Sequence, residues 1–243
     1  MTSMVTVRWI QKTVLRQGGK AAPDPAGNEL PTVAAHINAA STSRSPLVAF
    51  APPESIRTLD PSRLDPDALA ARQALLAGGG LPLSTFLRSV PVRRARSVSP
   101  PYVSVLHIDD LGTVDWTAAA AHAPTTPGIL ASTGDLIVSL LNPSKLRAAV
   151  LPMPVQASAE FGVFTTDHDP YAVLGLLYSP LVRAQLRPLG TGTSSSRRRI
   201  DAEDVLSVIV PSHASLEQLG SDVREAQQQI AAARARLTSL YAP

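Results

Sequence analysis

Two groups of polar side chains in this sequence have the types and spacing to grip a polyanion. Arg93, Arg94 and Arg96 form the first. Thr193, Ser194, Ser195 and Ser196, running directly into Arg197, Arg198 and Arg199, form the second. Hydroxyls and guanidiniums together suit phosphate oxygens, and a guanidinium can also take a guanine edge with two hydrogen bonds. Both groups fall in loop-like sequence, where binding residues are commonly carried. The plain alternative is a solvated basic surface, since the formal net charge is only +3. The expectation of a polyanion therefore rests on clustering rather than on the total. Arg183 and Arg187 fall on a helical stretch and read as solvated.

Other constellations promise more chemistry than they carry. Ser99-Pro100-Pro101-Tyr102 matches the (Asp/Asn/Ser)-Pro-Pro-(Tyr/Phe) loop with which amino-methyltransferases hold and stack a flipped base. Such enzymes also need a glycine-rich cofactor turn after a strand, and Phe161-Gly162 lacks the second glycine. Gly190-Thr191-Gly192-Thr193 lacks the Gly-Lys-(Ser/Thr) ending of a phosphate loop. Asp167-His168-Asp169 offers metal-binding atoms, but adjacent residues point different ways and Asp169 is better used as a helix cap. His36, His107, His122 and His213 have no ligand spacing. No Gly-x-Ser-x-Gly elbow occurs, and the absence of cysteine removes thiolate sites, disulfides and cysteine nucleophiles. The expectation is no catalytic residue, no metal and no cofactor.

These loops need elements to hold them. In 243 residues, 22 prolines and 14 glycines imply many short elements, and 4% aromatics imply a core of Leu, Val, Ile and Ala. Asp65-Pro66 opens a helix, with a capping carboxylate and a proline at the first helical position, which ends at Gly78-Gly79-Gly80. Strands are expected over 102–108, 135–141, 148–151, 160–165 and 205–210. Asp169-Pro170 opens a second helix that Ser179-Pro180 interrupts and that continues to Leu186. Ahead of these, 4–16 reads as strand or short helix, 17–31 as loop and 46–50 as strand. The sequence has no apolar run long enough for a membrane span, and its first 20 residues do not read as a signal peptide. A cytoplasmic location fits both.

The last segment differs in character. Leu216, Val223, Ile230 and Leu237 recur every seven residues, and Leu219, Ala226, Ala233 and Leu240 follow each by three. This is an a/d heptad stripe over four repeats, about 40 Å of helix at 1.5 Å per residue. A strict 3.5-residue period favours a seam with a partner helix over a terminal helix packed only on its own domain.

Taken in order, several stretches resemble the target-recognition domain of type I restriction-modification specificity subunits. Residues 65–87 are similar to the family's opening helix and step into the first strand. Pro101-Tyr102-Val103-Ser104-Val105, Gly134-Asp135-Leu136-Ile137-Val138-Ser139 and residues 157–164 resemble its strands. Asp169-Pro170-Tyr171 through Leu176-Leu177-Tyr178-Ser179-Pro180-Leu181 resembles its paired helices. Gly190-Thr191-Gly192-Thr193 with Arg199-Ile200 and Asp204-Val205-Leu206 resembles the turn to its last strand. Pro211 and Leu216-Glu217-Gln218-Leu219 resemble the approach to its long helix. The resemblance covers 60–241 and does not extend to 1–59.

The resemblance implies an α+β fold: a small mixed-sheet recognition domain over 60–212 with flanking helices, then a long coiled-coil helix over 213–243 for dimerisation or partner binding. Residues 1–59 form a separate N-terminal segment. It implies sequence-specific binding of double-stranded DNA and a methyltransferase subunit as partner, with no chemistry by this chain, and it puts near the DNA the turn-like Asn142-Pro143-Ser144 that leads to Lys145 and Arg147. Such subunits carry two recognition domains and two long helices, whereas this chain has one of each. A homodimer or pairing with a second half-subunit is therefore expected. Two readings compete: a fragment of a catalytic DNA adenine methyltransferase, and a coiled-coil interaction protein without DNA specificity.

Overall fold

The computed structural model describes residues 5–8, 48–51, 65–99, 101–191 and 198–241. The chain divides into two units, Met1–Ala71 and Arg72–Pro243. In the first, Val5–Arg8 (β1) pairs antiparallel with Val48–Ala51 (β2); the expectations over 17–31 lie outside the described residues. The helix Pro66–Ala77 (α1) begins where the sequence places it, with Asp65 Oδ1 accepting from the amides of Asp67 and Ala68 at 2.9 and 3.1 Å. Gly79 then adopts a left-handed φ of 78°, which ends the helix at little steric cost.

Leu81–Pro82 (β3), Arg88–Ser89 (β4) and Tyr102–Val103 (β5) are short. Trp116–Ala121 (α2) follows, then Ile129–Ala131 (β6), Leu136–Ser139 (β7), Ala148–Val150 (β8), Val155–Ala157 (β9) and Phe161–Thr165 (β10). Pro170–Leu177 (α3), Pro180–Leu186 (α4), Ala202–Ser207 (α5), Ile209–Val210 (β11) and Leu216–Tyr241 (α6) complete the described chain. The fold is α+β. One antiparallel sheet runs β4-β10-β7-β8, a mixed sheet runs β5-β9-β6 with β5 parallel to β9, and β11 pairs with β3.

Three strands of the four-stranded sheet, β7, β8 and β10, are buried on both faces, and period-two alternation shows how. Leu136 and Val138 of β7, Ala148 and Val150 of β8 and Phe164 of β10 join one core with the helices α3 and α4. Ile137, Ala149, Phe161 and Val163 join a second core with Val103, Ile129, Ala131, Val155 and Ala157 of the mixed sheet. Successive side chains of a strand point to opposite faces, so a strand between two cores is apolar at every position. That is why Leu136-Ile137-Val138 reads as a continuous apolar run.

Two expected strands are partly something else. Only Tyr102–Val103 of 102–108 is strand; the chain then turns through a 3-10 helix, Val105–His107. There Ser104 Oγ accepts from Leu106 N, and His107 Nδ1 accepts from Ser104 N at 3.1 Å. Of 205–210, only Ile209–Val210 is strand, because Asp201 and Asp204 form a reciprocal cap that starts α5. In both cases a polar side chain captures a backbone amide and overrides β-branched propensity.

Candidate nucleic-acid interface

The residues on either side of 192–197 form a well-built base. Thr191 and Arg199 exchange two backbone hydrogen bonds of 2.9 and 2.8 Å, and Thr191 Oγ1 donates to the Arg199 carbonyl at 3.3 Å. A Cβ at Gly190 would stand 2.8 Å from Arg198 Cβ and 3.0 Å from Pro143 Cγ, so this close approach requires glycine. The turn after β7 braces the base. Asn142 N donates to the Arg198 carbonyl at 2.7 Å, and Lys145 N donates to the Asn142 carbonyl at 2.9 Å. Asn142 takes a left-handed φ of 51°, a conformation asparagine tolerates, and Ser144 Oγ donates to its Oδ1. The turn over 142–145 and the bridged segment 198–199, joined by a hydrogen bond, thus carry Lys145, Arg198 and Arg199. Lys145 and Arg199 are exposed and Arg198 is half-buried. Thr193, Ser194, Ser195, Ser196 and Arg197 lie outside the described residues.

Arg93, Arg94 and Arg96 lie on the other sheet and are all exposed. Their stretch runs beside β6: Leu130 N donates to the Arg93 carbonyl at 2.8 Å, and Ala95 N donates to the Gly128 carbonyl at 2.9 Å. Arg147 is placed differently. It is half-buried, its guanidinium donates to the Ile108 carbonyl, and it ion-pairs with Asp110 at 3.1 Å. Its charge serves to hold the 108–110 turn.

The other constellations resolve into structural contacts. Ser99 Oγ accepts from Gln156 Nε2 at 2.7 Å, and Tyr102 is buried in β5 with its ring stacked on His122 at 5.4 Å. Burial and then the Glu160 charge push the Tyr102 phenol up. Asp167 pairs with Arg88 at 2.6 Å, His168 packs against Phe86, and Asp169 caps α3 by accepting from Tyr171 N. The three side chains point to three different neighbours. Among the described residues, no group of three or more His, Asp or Glu side chains is placed to hold a metal.

The long helix α6 splits its stripe. Leu216, Leu219 and Val223 pack on the first core, Ile230 is half-buried, and Ala226, Ala233, Leu237 and Leu240 are exposed. The close crossing with α3 depends on Gly175 and Gly220. A Cβ on Gly175 would stand 2.9 Å from Val223 Cγ2, and one on Gly220 would stand 2.5 Å from Asp169 Oδ2. Arg224 Nη2 reaches Asp169 Oδ2 at 2.6 Å and its guanidinium lies 4.8 Å from the Tyr171 ring centroid. Further on, Gln227 Nε2 donates to the carbonyls of Leu111 and Gly112, and Arg234 pairs with Asp109. A cleft of about 960 Å³ opens beyond, lined by Thr113, Trp116, Ala231, Leu237 and Tyr241 among others. The heptad spacing does not distinguish the docked from the free positions. The glycines at 175 and 220 are the signal that does, because they mark a backbone crossing inside the chain.

These elements define a small α+β domain with a basic turn braced on a basic bridged segment, and one long helix, α6. No protein-family model and no curated protein matches the chain. Among solved structures, it is similar to the HsdS subunit from Thermoanaerobacter tengcongensis, at 19% identity and a TM-score of 0.45, over 66% of this chain and 44% of that one. It is also similar to a chain from a structure concerned with complex assembly and conformational transition of the type I R-M system, at 15% identity and a TM-score of 0.35, over 85% of this chain and 63% of that one. The chain spans less than two thirds of the length of either. Among the described residues, no helix is long and apolar enough to cross a membrane.

Proposed function

We propose that this chain recognises double-stranded DNA sequence-specifically, as the specificity subunit of a restriction-modification or related DNA-defence system in the cytoplasm, and directs a partner methyltransferase. The observation that carries this reading is the turn at 142–145 braced on the bridged segment 198–199. Together they hold Lys145 and Arg199 exposed, with Arg199 closely following the hydroxyl- and arginine-rich stretch 193–197 in sequence. A cation presented on a fixed backbone loses less freedom on meeting a phosphate than one on a free loop. The ordered motifs over 60–241 support it further. The domain of action is 60–212. Residues 213–243 pair with a second copy or a second half-subunit, through the positions of the stripe that the domain leaves exposed.

Two measurements test this. The first compares methylated bases in the host genome with and without this gene; loss of one motif, above all a split one, supports the reading, and an unchanged methylome overturns it. The second measures duplex binding against salt. Replacing Lys145 and Arg199 by alanine should weaken binding and reduce the slope of log K against log salt by about 2, since each phosphate left without its cation takes about 0.9 from the slope. A methyltransferase fragment would instead bind its cofactor when pure, and an interaction protein would show no salt-sensitive duplex binding.

A further inference from the structure

We infer that Gln156 is a positioning residue for the basic stretch 93–96, clamping it to the mixed sheet from within; this rests on the DNA-binding reading above. Gln156 lies in the middle of β9, between Tyr102 of β5 and Leu130 of β6, and is 4% exposed. A buried strand position suits an apolar, β-branched residue, and a buried amide is costly unless its hydrogen bonds are made. Gln156 makes them to the residue that precedes β6 and to the stretch that follows Arg96. Its Oε1 accepts from Gly128 N at 3.2 Å, and its Nε2 donates to the Ser97 carbonyl at 2.8 Å and to Ser99 Oγ at 2.7 Å.

Those partners bracket the arginines. Gly128 immediately precedes β6 and its carbonyl accepts from Ala95 N, while Ser97 and Ser99 closely follow Arg96. The stretch is therefore held at Arg93 and Ala95 by the sheet edge and at Ser97 and Ser99 by one buried side chain. Without the Gln156 side chain, residues 96–99 lose the anchor that lies between the backbone hydrogen bonds at Ala95 and Pro101, and Arg96 loses it with them. The role of Ser99 and Tyr102 also becomes clear: Ser99 supplies the clamp's outer acceptor, and Tyr102 is the neighbour of Gln156 across β5. An anchored backbone leaves less entropy to be lost when three guanidiniums meet a duplex. Gln156 touches no DNA in this scheme; it acts through the arginines.

The test uses the full chain and a mixed-sequence duplex, titrated at several salt concentrations. Gln156→Leu removes the whole clamp, and Ser99→Ala removes one bond at the exposed end while leaving the sheet intact. Each is measured alone and in an Arg93→Ala/Arg94→Ala/Arg96→Ala background. The expected result for Gln156→Leu is about a tenfold loss of affinity, about 1.4 kcal/mol. A smaller loss of the same kind is expected for Ser99→Ala, together with faster amide exchange at Ala95 in Gln156→Leu. In the triple-alanine background both losses should vanish, which a merely structural role would not produce. Equal losses in both backgrounds, or none in either, overturn the inference. If the unsubstituted chain shows no salt-dependent binding, the DNA reading itself fails, and the inference falls with it. That outcome is read from the parent protein alone.

Discussion

The two halves of α6 carry the same heptad and are held by different physics. Along Leu216–Val223 the helix is in van der Waals contact with α3, the crossing made possible by Gly175 and Gly220, and Arg224 closes it on Asp169. From Gln227 onward the helix is held by polar ties to the 109–112 turn, and its remaining stripe ends in Leu237 and Leu240, exposed by 50% and 69%. Apolar burial is the larger contribution to folding, at roughly 25 cal/mol per Å², while exposed ion pairs contribute about 0–1 kcal/mol. The first half is thus part of the domain, and the second half is a projecting arm. A heptad states that a stripe exists; it does not state whose surface covers it.

The sharpest way to break the comparison is Gly220→Ala. The added methyl drives into Asp169, which both caps α3 and receives Arg224. Helix propensity gains about 1 kcal/mol at an exposed site, yet overpacking at this crossing should still give a net loss of about 2 kcal/mol in urea unfolding. Ala226→Leu, on the exposed side of the stripe, should change stability by less than about 0.5 kcal/mol. If the two variants behave alike, the halves are not distinct.

A smaller contrast comes from the two arginines. Arg224→Ala removes a half-exposed ion pair, the stacking on the Tyr171 ring and the stem packing between them, and should cost about 1 kcal/mol. Arg234→Ala removes one ion pair to Asp109 and should cost under about 0.5 kcal/mol. Thermal unfolding of both variants at low and high salt checks the order, since the Arg234 effect should shrink more with screening.

Acidification should loosen the arm and spare the docked half. His107 is buried, its Nδ1 accepts from Ser104 N, and its carbonyl accepts from Asp115 N at 2.8 Å, at the base of the turn that Gln227 and Arg234 grip. Burial and then the nearby His122 hold its pKa below the usual histidine value, against the weaker opposing pull of a backbone hydrogen bond and of Asp115. Tyr102, stacked on His122, completes the surround. Because the folded pKa is depressed, the neutral ring's contribution is full above about pH 6.5, the unfolded value, and is lost as pH falls through the folded pKa. Amide protection over 227–241, taken relative to the intrinsic exchange rate at each pH, should therefore fall with acid more than over 216–224, and His107→Gln should flatten that difference.

Much of this architecture is legible in the sequence because it is written in local chemistry. Asp65-Pro66, Asp169-Pro170 and Ser179-Pro180 mark three helix starts where the chain indeed turns helical, and the apolar run at 136–138 marks a strand between two cores. The Val105–His107 turn and α5 are less legible, since their capping bonds compete with a β-branched pattern that favours strand. At the interface, clustering singles out the cations but not their neighbours. Arg147 looks as free as Lys145 until Ile108 and Asp110 close on it from 37 and more residues away in sequence, and nothing local distinguishes Gln156 from any surface glutamine.

The smallest expected change in stability belongs to Leu237→Ser with Leu240→Ser. Leu240 is largely exposed and Leu237 half exposed, lining the open cleft with Trp116, so the folded domain loses little when they become polar, within about 0.5 kcal/mol. Their exposure is the difference that the proposed pairing explains. An a/d stripe whose proximal positions are satisfied at home has only its distal positions left to meet a second helix, and the alanines at 226 and 233 leave room for a close approach. Sedimentation equilibrium of the parent and the double-serine variant separates the cases. A parent that self-associates, with a variant that does not while keeping its unfolding midpoint, assigns the arm to a partner helix. A parent that stays monomeric at high concentration overturns self-pairing through that arm, and a variant that unfolds early returns the distal half to the domain.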